Sequence, residues 1–282
     1  MVSSFLWGGV NFSELSVGDT FFLGKYQIEN ETPWLIEWEI VHQTADYQIA
    51  MTKQIIDLRS FDAKEPNNTE SANIKDNGNA TWQYSNIKQF LNSDQAEWYS
   101  PQYEYDAPPI GDNISIASTA YDTHKGFLYY WSDNEKNALQ NITFDLHTYN
   151  RAIDSYTWTG KVWLPTITQV GLGDNTDSFG KYGVTEGVVF NKYENASIKG
   201  FSYHEKVLEY TQNANNLKAN GKYAISFSSI VPAYKFNTWG VQVDGTQCMS
   251  VAYNSNNGIM PCICLPRIGS IPGIAPNLNY TT

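Results

Sequence analysis

Between Phe21 and Leu58 apolar residues arrive in short runs separated by Gly, Pro and Asx punctuation, which predicts a succession of strands. WLIEWEIV (Trp34–Val41) is dense in Trp and Ile, and YQIAM (Tyr47–Met51) is short and apolar. Phe61–Ala80 is rich in Asn, Asp and Glu and contains Pro66, the pattern of an exposed loop. Ile87, Phe90 and Leu91 then fall at i, i+3 and i+4, which places one apolar helical face within Asn86–Asp94, with Ser85 or Asn86 as its cap. The face predicts that Phe90 and Leu91 are buried. Ser132 and Glu135 have capping-box spacing at the head of a second short helix, Ser132–Leu139. Thr166 and Gln169 repeat that spacing after the strand WTGKVWLP (Trp158–Pro165), so another short helix is expected there. From Tyr223 strand patterning returns in YAISFSSIV, TWGVQVDG, QCMSVAY and IMPCICLP.

No Gly/Ser linker, charge block or repeat of about 20–50 residues divides the chain. The expectation is a single irregular α+β domain over residues 21–267, with residues 1–20 as an N-terminal arm and 268–282 as an extended tail. Strands near both ends would allow those ends to share a sheet, with Trp34–Val41 in the same sheet system as strands from Tyr223–Leu265.

Composition narrows the function. Eighteen Lys and Arg stand against 29 Asp and Glu, a formal charge of −11, and no basic cluster breaks the acidic average. Phosphate backbones are bound mainly by cationic neutralisation, so nucleic acid is excluded as a partner. Nine Trp, 19 Tyr and 13 Phe supply large rings that argue for a folded chain. No apolar run reaches the length of a membrane helix, and MVSSFLWGGVNF lacks the basic start and small-residue cleavage site of a signal peptide. The expectation is therefore a chain neither exported by that route nor inserted in a membrane.

Side chains with chemical potential are scattered. His42, His124, His147 and His204 lie far apart with no metal-helix spacing, and no nucleophile elbow is present. Gly171–Thr176 begins like a dinucleotide fingerprint but lacks its third glycine. Asp76, Asp174, Asp177 and Asp244 form no twelve-residue calcium hand. Glu65-Pro66-Asn67 copies a calcium and hexose tripeptide of sugar-binding lectins, in a different sequence context. Cys248, Cys262 and Cys264 are too few and too crowded for a disulfide framework, and Cys262 and Cys264 read as packed thiols. No metal, no cofactor and no catalytic residue is assigned. The better candidates are rings in polar loops, which offer flat, rigid contact area. These are Trp98, Tyr103, Tyr105, Tyr121, Tyr129, Tyr130 and Trp131.

A series of short motifs resembles a family of structural proteins of phages that infect Gram-positive bacteria. Its members carry a Trp, then Ser-Asn-Ile, an aromatic-Leu-Asn-Ser, an aspartate-rich Ala-Pro-Pro loop and Gly-Phe-Leu. Here these are Trp82, Ser85-Asn86-Ile87, Phe90-Leu91-Asn92-Ser93, Asp106-Ala107-Pro108-Pro109 and Gly126-Phe127-Leu128. The likeness runs on through KVWLPTITQVGLG to Trp239-Gly240-Val241, Asp244-Gly245, Gly258-Ile259, Pro261 and Leu265-Pro266. Met260 stands where the family has arginine, and SFSSIVPAYKF replaces an arginine-bearing strand, so no role of those arginines carries over.

The resemblance implies an irregular scaffold similar to the C-type-lectin and formylglycine-generating-enzyme fold, with long loops. It implies a non-enzymatic virion surface protein, a capsid decoration or a small tail or baseplate adhesin assembled in the host cytoplasm. Its partners would be other virion structural proteins and host cell-surface glycan, engaged as an oligomer or in many copies. Two other readings compete: a glycan-modifying enzyme on the same scaffold, and a bacterial carbohydrate-binding module.

Overall fold

The computed structural model describes residues 10–28, 31–147, 155–172, 188–207, 226–267 and 270–271. In chain order the first strands are β1 (Val10–Asn11), β2 (Thr20–Tyr26), β3 (Trp34–Gln43), β4 (Tyr47–Thr52) and β5 (Asp57–Leu58). Three short helices follow, α1 (Ala72–Asn77), α2 (Asn86–Leu91) and α3 (Asp133–Ala138). The second half holds β6 (Ile142–His147), β7 (Ser155–Gly160), β8 (Val162–Trp163), β9 (Ser226–Tyr234), β10 (Asn237–Gln242) and β11 (Gln247–Val251). It closes with β12 (Gly258–Ile259), β13 (Cys262–Pro266) and β14 (Ser270–Ile271). This is a mixed α+β architecture with mostly antiparallel sheets.

The strands form two five-stranded sheets, ordered β2-β3-β4-β13-β8 and β11-β10-β9-β12-β5, and two small ladders, β6-β7 and β1-β14. Among the described residues one strand pair runs through both large sheets. β4 runs against β13 with Met51 opposite Cys262. Thr52 then donates its N–H to the Pro261 carbonyl at 3.0 Å and Ile56 to Ile259 at 3.1 Å. The pair re-emerges as β5 against β12, with Asp57 opposite Ile259. β3, which covers Trp34–Val41, thus shares its sheet with the late strand β13, as the patterning predicts, while β9, β10 and β11 build the second sheet.

The helical expectations meet two outcomes. Ser85 caps α2, its hydroxyl accepting from the Lys88 N–H at 3.3 Å, and Phe90 and Leu91 are fully buried. Ser132 and Glu135 form the reciprocal capping box of α3. Thr166 and Gln169 exchange the same pair of bonds, at 3.0 Å each, but they close a turn and no helix follows. The box satisfies the first donors of a helix. It cannot extend one past Gly171, which sits at φ +79° with the Tyr193 carbonyl 2.7 Å from where a Cβ would stand.

Two other expectations need correction. The expected arm and tail are joined: β1 pairs with β14, Val10 opposite Ile271, and Phe12 is buried in the core, so packing begins well before Phe21. Residues 61–80 are not an exposed loop. Phe61, Asp62, Ala63, Glu65, Asn68, Ile74, Asn79 and Ala80 are buried, and α1 lies among them, capped by Ser71. The segment's polarity misleads because its side chains bond to each other and to backbone rather than to water. Cys262 and Cys264 are buried free thiols on one face of β13, as expected of packing residues. Asp174, Asp177, Tyr223 and Ala224 lie outside the described residues.

Candidate functional site

The end of β2 and the loop 121–131 enclose a cleft of about 570 Å³, within the usual span of ligand sites. Local sequence explains how the loop is held. Phe127 donates its N–H to the Phe90 carbonyl at the end of α2 (3.1 Å), and Leu128 donates to Ser93 at 2.9 Å. Gly126 passes so close that a Cβ there would stand 2.4 Å from the Ser93 carbonyl oxygen. On the other side Gly24, at φ +67°, breaks the register of β2 against β3. Its N–H reaches the Glu135 carboxylate at 3.0 Å, and the Trp131 ring fills the space a side chain would need. Helix α3 and the loop are therefore clamped onto β2, whose last residue, Tyr26, lines the cleft with the following Gln27.

Beneath the cleft lies a buried ionic network. Arg59 and Asp57 are almost wholly buried and pair at 2.6 Å. Asp57 also accepts from the Tyr26 hydroxyl and, at 2.7 Å, from the Leu58 N–H. Burial opposes the Arg59 charge, but the Asp57 carboxylate outweighs it and raises the guanidinium pKa. The same guanidinium stands 5.2 Å from the centroid of the Tyr121 ring. It donates to His124 Nδ1 at 2.9 Å, and because arginine can only donate, His124 carries its hydrogen on Nε2. Burial first, and then the Arg59 charge, push the His124 pKa down to about 3. The imidazole is therefore neutral at physiological pH and offers the cleft an N–H donor. Its rim is Tyr130, whose hydroxyl donates to Gln27, and Lys125, whose ammonium stands 4.3 Å from the Tyr129 ring centroid and 4.9 Å from that of Tyr130.

A second cluster of ionisable groups fastens the neighbouring loops. Asp62 accepts from the N–H groups of Asn79 and Asn86, both at 2.9 Å. The Asn86 amide reaches Asp106 at 3.2 Å, and the Tyr103 hydroxyl donates to Glu65. Burial raises the pKa of all three carboxylates, and the Asp106 charge raises Asp62 and Glu65 further. The Glu65-Pro66-Asn67 tripeptide is part of this fastening, with Asn68 also bonded to Glu65 at 2.5 Å.

The seven expected contact rings divide between core and surface. Trp98, Tyr121 and Trp131 are buried and are corrected to core residues. Trp98 stacks on Tyr121 at 5.4 Å and donates to its carbonyl at 2.9 Å, so the rings satisfy each other. Tyr103 is half-buried in the carboxylate cluster, and Tyr105 meets Thr69 at 3.1 Å at the loop surface. Tyr129 is exposed and Tyr130 is half-buried at the cleft. His124 entered the sequence reading only as an isolated histidine, while Asp57, Arg59, Gln27 and Lys125 were missed. The available signal was Asp57-Leu58-Arg59, two opposite charges inside an otherwise apolar strand region. Among the described residues no group of three His, Cys, Asp or Glu is placed to hold a metal ion, and no helix is long and apolar enough to cross a membrane.

A family described as Domain of unknown function (DUF6273) matches residues 46–267. The chain belongs to it. No curated protein and no solved structure matches the chain. The DUF6273 region contains Asp57, Arg59, the loop 121–131 and the carboxylate cluster, whereas Tyr26 and Gln27 precede it. The cleft thus has one wall inside the DUF6273 region and one wall supplied by the strand before it.

Proposed function

We propose that this chain is a non-enzymatic surface protein of a phage particle, acting by contact through the cleft between Tyr26, His124 and Tyr130, with a neutral, hydroxyl-rich ligand of the host-glycan class. The observation that carries the contact reading is the internal neutralisation of the cleft floor, which leaves the Lys125 ammonium at the rim, over the Tyr129 and Tyr130 rings, as the one charge in the lining. Asp57 is matched by Arg59, and His124 is uncharged with its basic nitrogen already engaged. The imidazole N–H, the exposed Thr123 and the Tyr130 ring suit a hydroxyl-rich ligand. His124 is a poor general base at neutral pH, since its pKa lies near 3.

The virion setting rests on the ordered motifs from Trp82 to Pro266. Gly126-Phe127-Leu128 and Phe90-Leu91-Asn92-Ser93, two of those motifs, bond to one another beneath the cleft, which supports reading them as one framework. The kinship with the C-type-lectin scaffold belongs to the same proposal and is supported by the pairing of β1 with β14 near the chain's two ends.

The test is titration of the purified protein with cell-wall polysaccharides of candidate hosts at low and high salt, beside antibody labelling of particles. Saturable binding that salt leaves unchanged and that Tyr130→Ala abolishes is expected, with label on the particle surface. Binding that persists in Tyr130→Ala would move the contact elsewhere, and unlabelled particles would sink the virion assignment.

A further inference from the structure

Glu39 of β3, the end of β4, Lys192, Tyr193, residues 196–201 and Met260 surround a second cavity of about 320 Å³. Three lysines converge on it. Glu39 is the one acidic side chain in the wall; it pairs with Lys192 and, at 3.7 Å, with Lys53, while Lys199 is exposed at the mouth. Three ammonium groups against one carboxylate leave a net charge of +2, in a chain whose total is −11.

The inner wall carries two hydroxyls. Thr52 is fully buried, and its Oγ1 makes no hydrogen bond. Tyr193 is 7% exposed, and its hydroxyl, unlike that of Thr52, is not sealed from solvent. A buried hydroxyl without a partner costs about 1–3 kcal/mol, and native structures hold few of them. The remaining wall is apolar, with Met51, Met260 and Phe201 all buried.

We propose that this cavity is a binding site for a small organic carboxylate with a short apolar body. The head accepts hydrogen bonds from the Tyr193 and Thr52 hydroxyls and faces the Lys192 ammonium. The body lies against the two methionines and Phe201. This site is separate from the glycan cleft and does not depend on that reading.

Methionine methyl groups report on it directly. The whole chain, labelled with ¹³C at its methionine methyls, is titrated with hexanoate and benzoate, with hexanol and benzyl alcohol as uncharged analogues and acetate as a head without a body. Saturable shifts at Met51 and Met260, none at Met249, and much weaker binding of the alcohols and of acetate are expected. Tyr193→Phe and Thr52→Val, which keep side-chain volume, should each weaken hexanoate about tenfold, the effect of one lost hydrogen bond to a charged group. Lys192→Met should weaken it at least as much and reduce its salt dependence. Equal binding of acids and alcohols, unchanged affinity in these variants, or no saturable shift with either acid would overturn the proposal.

Discussion

The two buried clusters of ionisable groups both reach α2, Asp62 at Asn86 and Arg59 at Phe90, and solve opposite problems. Around Arg59 a cation and an anion are buried together, with a tyrosine bonded to the anion and a histidine to the cation. Around Asp62 three carboxylates are gathered, with amides, backbone N–H groups and a phenol as their partners. The first arrangement tolerates ionisation and depends on both charges being present. The second depends on hydrogen bonds and is strained by its own charge. Burial alone would make them look alike; their charge balance separates them.

The largest expected effect comes from unbalancing the first cluster. Arg59→Met leaves Asp57 buried beside Tyr26 without its counter-ion, and should cost about 3–5 kcal/mol in urea unfolding. Adding Asp57→Asn should restore much of that loss. If Arg59→Met proves harmless, the pair is not the keystone its burial implies.

The pH dependence sharpens the contrast. His124 has its folded pKa lowered to about 3 from an ordinary 6.5, so the unfolded chain binds more protons across that window. Its contribution to stability is complete above about pH 6.5 and is lost as pH falls toward 3. His124→Asn should remove that slope, as measured by urea midpoints over a pH series.

Asp62 has the reverse sign. Its folded pKa is raised, so the native state holds the proton more tightly, and the contribution is complete below the ordinary aspartate range and lost as pH rises through the folded value. Asp62→Asn should stay within about 1 kcal/mol of the parent at pH 4, through the bonds it weakens, and gain on it at higher pH. A variant that lost ground as pH rose would mean that the carboxylate is needed in its charged form.

Much of the framework was legible in the sequence because it rests on local rules. The spacing of Ile87, Phe90 and Leu91, the capping pair Ser132 and Glu135, and the strand runs around Trp34 and Cys262 each declare themselves within a few residues. The cleft did not. Tyr26, Arg59 and His124 are separated by 33 and 65 residues and meet only through the sheet and the loop clamp. Aromatic content in loops proved a mixed guide. Trp98 and Tyr121 stack on each other inside the protein, whereas Tyr129 and Tyr130 reach the surface, and composition cannot distinguish the two. Polarity misled at residues 61–80 for a related reason, since a carboxylate bonded to a buried amide reads in sequence like one bonded to water.

The strand pair that crosses between the two large sheets has a consequence for how the chain is made. β13 lies between β4 and β8, and β12 between β9 and β5, so these late strands pair with β4, β5 and β8, which emerge long before them. Until residues 258–266 leave the ribosome, β4 and β8 present open, apolar edges with nothing to zip against. Pairings this distant along the chain are slow to form, and such edges invite association with other chains in the interval. Birth, for this protein, is a period of exposure that ends only when the penultimate strands slide into place.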